Sequence, residues 1–384
     1  MAPDINPEAF PPGEYILEEL EARGWTQTDL AKILGWWPKD VSRLVTGKQP
    51  ITLETAKCLA EAFGTSAQLW MNLEASYQLS KRTTRADTGV AKRSKIYSKA
   101  PVSEMQKRGW IESTENADIL EAQVLKFYGI STIDDPIHLD FAARMPEPGR
   151  ELNQFQVAWL KRVQQIAPAA PVTGRFSAAS LDDALRALAP LRAHADDLRR
   201  IPEVLARAGI RLVIVETLPH TKVDGACFWL SPEAPVIVLS FRYDRIDWFW
   251  HTLAHELKHV SNRDGRGSAI IDTQLVGEDA KPYVQDKPQA EKEADLFAIS
   301  YLVDQKQLDD FIAQVHPLYS HMKILAFAAR IGVHPGIVVG QLHFRKKISY
   351  AHSRKMLVKA RAALTASALT DGWRHVAPIG IGGT

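Results

Sequence analysis

A chain of 384 residues, 46% hydrophobic and 24% charged, has enough apolar sequence for two or three packed domains, which sets it apart from disordered proteins. Two cysteines, Cys58 and Cys227, exclude a disulfide scaffold and fit a reducing compartment; no 18-residue apolar run predicts a membrane span, and the opening Met1-Ala2-Pro3-Asp4 has no leader pattern, so a cytoplasmic location is expected. The net charge of +2 conceals two basic stretches, with seven Lys or Arg against the single acid Asp87 between Lys81 and Lys99, and seven more with no acid from Arg345 to Arg361. Such patches suit either a phosphate backbone or a solvated linker and tail.

In chain order, Tyr15, Ile16 and Leu20 predict a first helix closed by Gly24. Thr26 is placed to cap a second over residues 27–34, whose apolar positions are Leu30, Ile33 and Leu34. Gly35-Trp36-Trp37 turns the chain, and Pro38 suits the first turn of a third helix reaching Leu44. Gly47 ends it. Thr52 caps a fourth with Ala56, Leu59, Ala60 and Phe63 inward, and Ser66 to Leu79 makes a fifth. Five short helices with a tight turn between the second and third predict an all-α helix-turn-helix domain over residues 10–80.

Gln27-x-Asp-Leu-Ala-x-Ile-Leu-Gly, Val41-Ser42-Arg43-Leu44-x-x-Gly47-Lys48 and Ile51-Thr52 resemble the Cro/repressor type of helix-turn-helix, and Leu69-Trp70-Met71-x-Leu73 with Tyr77 is similar to the HigA antitoxin branch. The resemblance implies that Lys39, Asp40 and Arg43 face the major groove of double-stranded operator DNA, while Gln27, Thr28 and Lys48 touch phosphates. It also implies a homodimer on paired half-sites. Trp36, Trp37 and Pro38 depart from the pattern, standing where small polar residues are usual; they read as core, as a wedge against DNA, or as a protein-binding surface.

The middle of the chain, residues 81–200, reads as a basic linker and helical connector. Thr83 to Ala100 is polar and basic, Met105 to Tyr128 and Leu152 to Ile166 are helically periodic, and Ala167-Pro168-Ala169-Ala170-Pro171 breaks the chain. Leu181 to Ala208 reads as helices again. Residues 211–215, 226–230 and 236–239 then read as strands, the last either an edge able to pair with extended peptide or a buried central strand.

His255-Glu256-Leu257-Lys258-His259 carries the chemistry. Ile246, Phe249, Trp250, Leu253, Ala254, Leu257 and Val260 recur at helical spacing, so His255 and His259 share one helix face and can grip one zinc ion, with Glu256 beside them as a base toward water. A catalytic site needs a third ligand. Glu291 lies near the buried stripe of Ala290, Ala294, Phe297, Ala298, Tyr301 and Leu302, whereas Glu293 lies about 110° away, so Glu291 is the expected donor. Asp295, four residues on, shares its face and could orient an imidazole. His251 continues the ladder, but two helical turns separate it from His259, so all three cannot hold one ion.

Asp224-Gly225-Ala226, Pro235 through Ser240 and Phe249 through Glu256, followed by Glu291 through Ala298, resemble the ImmA/IrrE family of zinc metallopeptidases over roughly residues 205–345. The resemblance implies Zn2+ held by His255, His259 and Glu291, with Glu256 as catalytic base. Lys258 and His251 depart from the family's usual small and aromatic residues. The expectation is a multi-domain protein: a helix-turn-helix domain, the connector, an α+β zincin-like metallopeptidase domain over 201–345, and a basic tail over 346–384. Its expected function is that of a DNA-binding, antitoxin-like regulator with a zinc-dependent endopeptidase that cleaves a specific protein partner, either a repressor or a toxin–antitoxin component. The other reading is a transcription factor whose zinc domain is a sensor or docking module without turnover.

Overall fold

The computed structural model describes residues 10–82, 88–139, 142–144, 151–266, 268–273, 275 and 288–378. It divides into two compact units, Met1–Ala91 and Lys92–Thr384.

The first unit contains α1 (Pro12–Arg23), α2 (Gln27–Leu34), α3 (Pro38–Val45), α4 (Leu53–Phe63) and α5 (Ala67–Arg82). Local chemistry sets these boundaries. Thr26 Oγ1 accepts from the backbone N–H of Asp29 while the Asp29 carboxylate accepts from the Thr26 N–H, a reciprocal cap on α2. Gly24 and Gly35 close α1 and α2 at φ of 67° and 68°, a left-handed conformation in which a Cβ is strained. Ile16, Leu20, Leu30, Val41, Leu44, Leu59, Phe63 and Trp70 form the shared core. The buried Glu74 carboxylate accepts the Ile51 N–H at 3.0 Å and ties α5 to the start of α4. This is the expected helix-turn-helix, with α5 running three residues past Leu79.

The second unit begins inside α6 (Thr88–Lys99) and continues through α7 (Val102–Lys107), α8 (Ala117–Tyr128), β1 (Ala142–Arg144), α9 (Gln154–Ile166), α10 (Ala178–Leu188) and α11 (Ile201–Arg207). β2 (Arg211–Val215), β3 (Val223–Trp229) and β4 (Pro235–Leu239) follow, then α12 (Ile246–Asn262), β5 (Ser268–Thr273) and α13 (Gln289–Leu302). α14 (Gln305–Val315), α15 (His321–Ile331), α16 (Pro335–Phe344), α17 (Arg361–Thr365) and β6 (Leu369–Asp371) complete it.

The six strands form one mixed sheet in the order β1-β5-β3-β4-β2-β6. Of the two alternatives for Val236–Leu239, the structure has the central one: β4 lies between β3 and β2 and is buried throughout. Both faces of the sheet are covered. Cys227, Ile237, Leu239, Leu212 and Ile214 meet the α12 side, while Ala226, Phe228, Val236, Val238, Val213 and Ile271 meet Trp159, Val163 and Val124 of α9 and α8.

That second layer draws on residues well outside the 201–345 expected for the C-terminal domain. Apolar side chains of residues 96–133 and 158–170, within the stretch expected as linker and connector, cover a sheet face that would otherwise lie bare. Within the stretch expected as linker, α6 is helical with Ile96 buried. Within the stretch expected as a basic tail, β6 pairs parallel to β2, and Asp371 is buried against Arg162 and Trp110. The basic stretches are also partly neutralised. Lys92 pairs with Asp118 and Glu121, Arg345 with Asp309, and Arg361 with Asp244. Among the described residues no single helix is long and apolar enough to cross a membrane.

Candidate metal centre and nucleic-acid interface

α12 carries the motif because its apolar residues alternate at helical spacing against the sheet. Phe249, Trp250, Leu253 and Leu257 are buried in the core, and the same packing takes His255, Glu256 and His259 to 0% exposure. Arg263 in the left-handed region ends the helix, and the turn brings Asp264 Oδ2 to 3.0 Å from His259 Nδ1. Asp295 Oδ1 lies 3.1 Å from His255 Nδ1. With both Nδ1 atoms beside carboxylates, the Nε2 atoms turn toward one point and stand 3.1 Å apart.

α13 packs along α12 and brings Glu291 to that point. Its Oε2 lies 3.4 Å from His255 Nε2 and its Oε1 3.5 Å from His259 Nε2. Glu293 faces elsewhere, accepting from Gln289 at 3.0 Å. His251 is half-buried, its ring 6.4 Å from that of His255, and it is not among the converging donors. Lys258 is half-buried.

Sequence reasoning missed a fourth donor. Asp272 of β5, fully buried, places Oδ1 3.6 Å from His255 Nε2 and Oδ2 3.8 Å from His259 Nε2. Sheet register puts it there. Asp272 pairs with Gly225 of β3, one step from the Ala226–Ile271 pair that faces α9, so Asp272 and Gly225 point to the α12 side. The available signal was an acid inside the β-prone run Ser268-Ala269-Ile270-Ile271-Asp272-Thr273. Asp224 also went unremarked as a tie: it accepts from Leu275 N at 2.7 Å and Trp248 Nε1 at 3.3 Å, and burial pushes its carboxyl up to about 6.

The four donor atoms lie within 4.8 Å of one another, and the five quoted separations run from 3.1 to 3.8 Å. Ligands at zinc–nitrogen or zinc–oxygen distances on a tetrahedron stand about 3.3 Å apart. The residues therefore fit a small divalent cation.

The electrostatics agree. Burial alone would lower the His255 pKa, but the charges of Asp272, Asp295 and Glu291 hold it well above the ordinary imidazole value. Burial tends to raise Asp272, yet the two imidazoles pull it well below the usual carboxylate range. Glu256 is pushed up, first by burial and then by Asp272, and neither of its oxygens has a hydrogen-bond partner among the described residues.

In the first unit, α3 buries Val41 and Leu44 and turns Lys39, Ser42 and Arg43 to solvent, with Asp40 half-buried. Thr28 and Lys48 are exposed and Gln27 is half-buried, at the start of α2 and just after α3. No ion pair engages Lys39, Arg43 or Lys48 among the described residues, so their charge is available to a partner. Trp36 packs on the core while Trp37, at the mouth of α3, is 73% exposed.

Residues 16–70 match the family described as Helix-turn-helix. The chain is 32% identical over 82 residues to the uncharacterized HTH-type transcriptional regulator YddM of Escherichia coli, a match covering 21% of this chain and 87% of that protein. It is 38% identical over 72 residues to virulence-associated protein I of Dichelobacter nodosus, covering 18% of this chain and 67% of the relative. It is also similar to a solved structure of the Pseudomonas aeruginosa antitoxin HigA with the higBA promoter, with 29% identity and a TM-score of 0.20, covering 21% of this chain and 90% of that one.

Proposed function

This chain belongs, through residues 16–70, to the helix-turn-helix family of transcriptional regulators, and we propose that it is a cytoplasmic, antitoxin-type regulator that binds operator DNA as a homodimer and carries a zinc endopeptidase centre in its second unit. Lys39, Asp40 and Arg43 on the outward face of α3 are the groove-facing set, with Gln27, Thr28 and Lys48 placed beside phosphates.

His255, His259 and Glu291 would hold zinc, which when bound supplies Lewis-acid activation of water and of a peptide carbonyl. The observation that carries the peptidase reading is the position of Glu256. It is a buried carboxylate next in sequence to His255, adjoining the converging donors, and its oxygens have no hydrogen-bond partner among the described residues. Glu256 would take a proton from water and return it to the leaving amine. Asp264 and Asp295 would fix the orientation of the two imidazoles. The substrate proposed is a specific protein partner, a repressor or a toxin–antitoxin component.

Full burial of His255, Glu256 and His259 favours a second reading, in which the zinc unit senses or docks without turnover. Co-expression of the neighbouring gene's product with wild type and with Glu256→Gln separates the two. The peptidase reading expects a truncated partner with wild type only, the rate falling about 10²–10⁴-fold in the variant. Equal, intact partner in both, with DNA binding that changes on zinc removal, would establish the sensor instead.

A further inference from the structure

The three donors anticipated from sequence would leave room for a fourth on a four-coordinate ion, and the structure brings the carboxylate of Asp272 to the same point. We infer that Asp272 is a fourth ligand of the bound metal, so that the resting centre is closed. The inference rests on the zinc reading above and adds a residue to it. A site with four protein donors is of the structural kind, whereas a peptidase must leave a position for water.

Three observations support this assignment. Asp272 is fully buried, and neither of its oxygens has a hydrogen-bond partner among the described residues. Metal-free, its charge is offset by the two imidazoles, the groups that would lose their protons to a metal, so a bound cation would take over that role. Its oxygens reach 3.6 and 3.8 Å from the two Nε2 atoms, on the same scale as the 3.4 and 3.5 Å of Glu291. Its direction is also set by the sheet, because the pairing Gly225 with Asp272 and Ala226 with Ile271 fixes which face each side chain takes. A one-residue slip of β5 would turn Asp272 away from the centre and expose Ile271 to it. With Asp272 holding the metal, water would lack a position there, and the carboxylate would act as a brake on peptidase turnover.

The test uses the full chain loaded with cobalt(II), whose visible spectrum reports ligand number and type, with acetohydroxamate as the probe for an open position. Wild type should bind one cobalt per chain with a four-coordinate spectrum that acetohydroxamate leaves unchanged. Asp272→Ala and the near-isosteric Asp272→Asn should still bind, at least about tenfold more weakly, and their spectra should shift on adding the probe. A wild-type spectrum that shifts with acetohydroxamate as the variants' spectra do would overturn the assignment. The wild-type measurement alone decides if neither variant folds. Wild type that takes up no cobalt or zinc would instead sink the metal reading itself, a different failure from a metal-loaded but open site.

Discussion

Gly225 of β3 and Glu256 of α12 meet so closely that a Cβ on Gly225 would stand 2.2 Å from Glu256 Oε1 and 3.0 Å from Thr252 Cγ2. The strand gives up a side chain where the helix presents its base, and the absence of a Cβ leaves the carboxyl room beside Asp272. Gly225→Ala should therefore displace Glu256 while leaving the two histidines, whose atoms are not among the nearest to that Cβ. We expect a stability loss of about 1–3 kcal/mol from overpacking with zinc content retained. Thermal melting beside metal analysis checks it, and an unshifted melting temperature would show that the helix and strand are not in this contact.

Asp371 sits near the end of the described chain, yet it is fully buried, accepting from Arg162 Nε at 2.5 Å and from Trp110 Nε1 at 3.0 Å. Arg162, 1% exposed, also donates to the Ala377 carbonyl at 2.7 Å. Removing one partner of such a pair strands the other charge in the core. Asp371→Ala should cost about 3–5 kcal/mol, and truncation after Arg345 should unfold the second unit. A truncated protein melting like the full chain would return residues 346–384 to the status of a tail.

The elements most legible in the sequence were those written by local rules. Thr26, Gly24, Gly35, Pro38 and Thr52 mark helix ends by backbone chemistry that acts within four residues, so α1–α4 lie close to where the residues put them. That His255 and His259 lie together was legible because helical phase alone puts them on one face of α12, whereas the approach of Glu291 depends on how α13 packs on that helix. Asp272 was not legible, because its position depends on which strand pairs with which and in what register, and pairing partners are far apart in sequence. The same holds for β1 and β6, three residues each, whose only signature is a neighbour more than a hundred residues away. Within Thr83 to Ala100, read as a linker, the helix at Thr88–Lys99 was hard to see because a single buried residue, Ile96, anchors it.

Arg43 and Lys48 should divide the work at DNA. Both are exposed and unpaired among the described residues, but Arg43 lies on the outward face of α3 and Lys48 follows its end. Arg43→Ala should weaken binding to a short palindrome upstream of the gene or its neighbour by about 1–3 kcal/mol and relax sequence preference, whereas Lys48→Ala should weaken all sequences alike and reduce the salt slope by about one. Neutralising Lys92 should leave that slope unchanged, since Asp118 and Glu121 already offset its charge. Fluorescence anisotropy across a salt series reads all three. An Arg43→Ala protein with wild-type preference would move base reading elsewhere, and the exposed Trp37 is the next candidate.

The last expectation concerns pH and metal together. In the metal-free centre, nearby carboxylates raise the His255 pKa in spite of burial, so the folded protein holds this proton more tightly than the unfolded chain does. A raised folded pKa contributes stability that is complete below the unfolded value, about 6.5 for histidine, and is lost as pH rises through the folded value. Glu256, also raised, acts in the same direction above the ordinary carboxylate range. Metal binding demands the opposite state, because an imidazole must give up its proton to ligate. The metal-free protein should thus lose stability as pH rises from the ordinary carboxylate range, with His255 adding to the loss above about pH 6.5, while the rise in melting temperature on adding one equivalent of zinc should grow from about pH 6 to about pH 8. Melting curves with chelator and with zinc, at each pH, give the comparison. Calorimetry in buffers of different ionisation heat should show proton release on binding near pH 7, and His255→Ala should abolish both effects. A zinc-induced shift that is flat across this range would mean that His255 carries no proton in the metal-free protein.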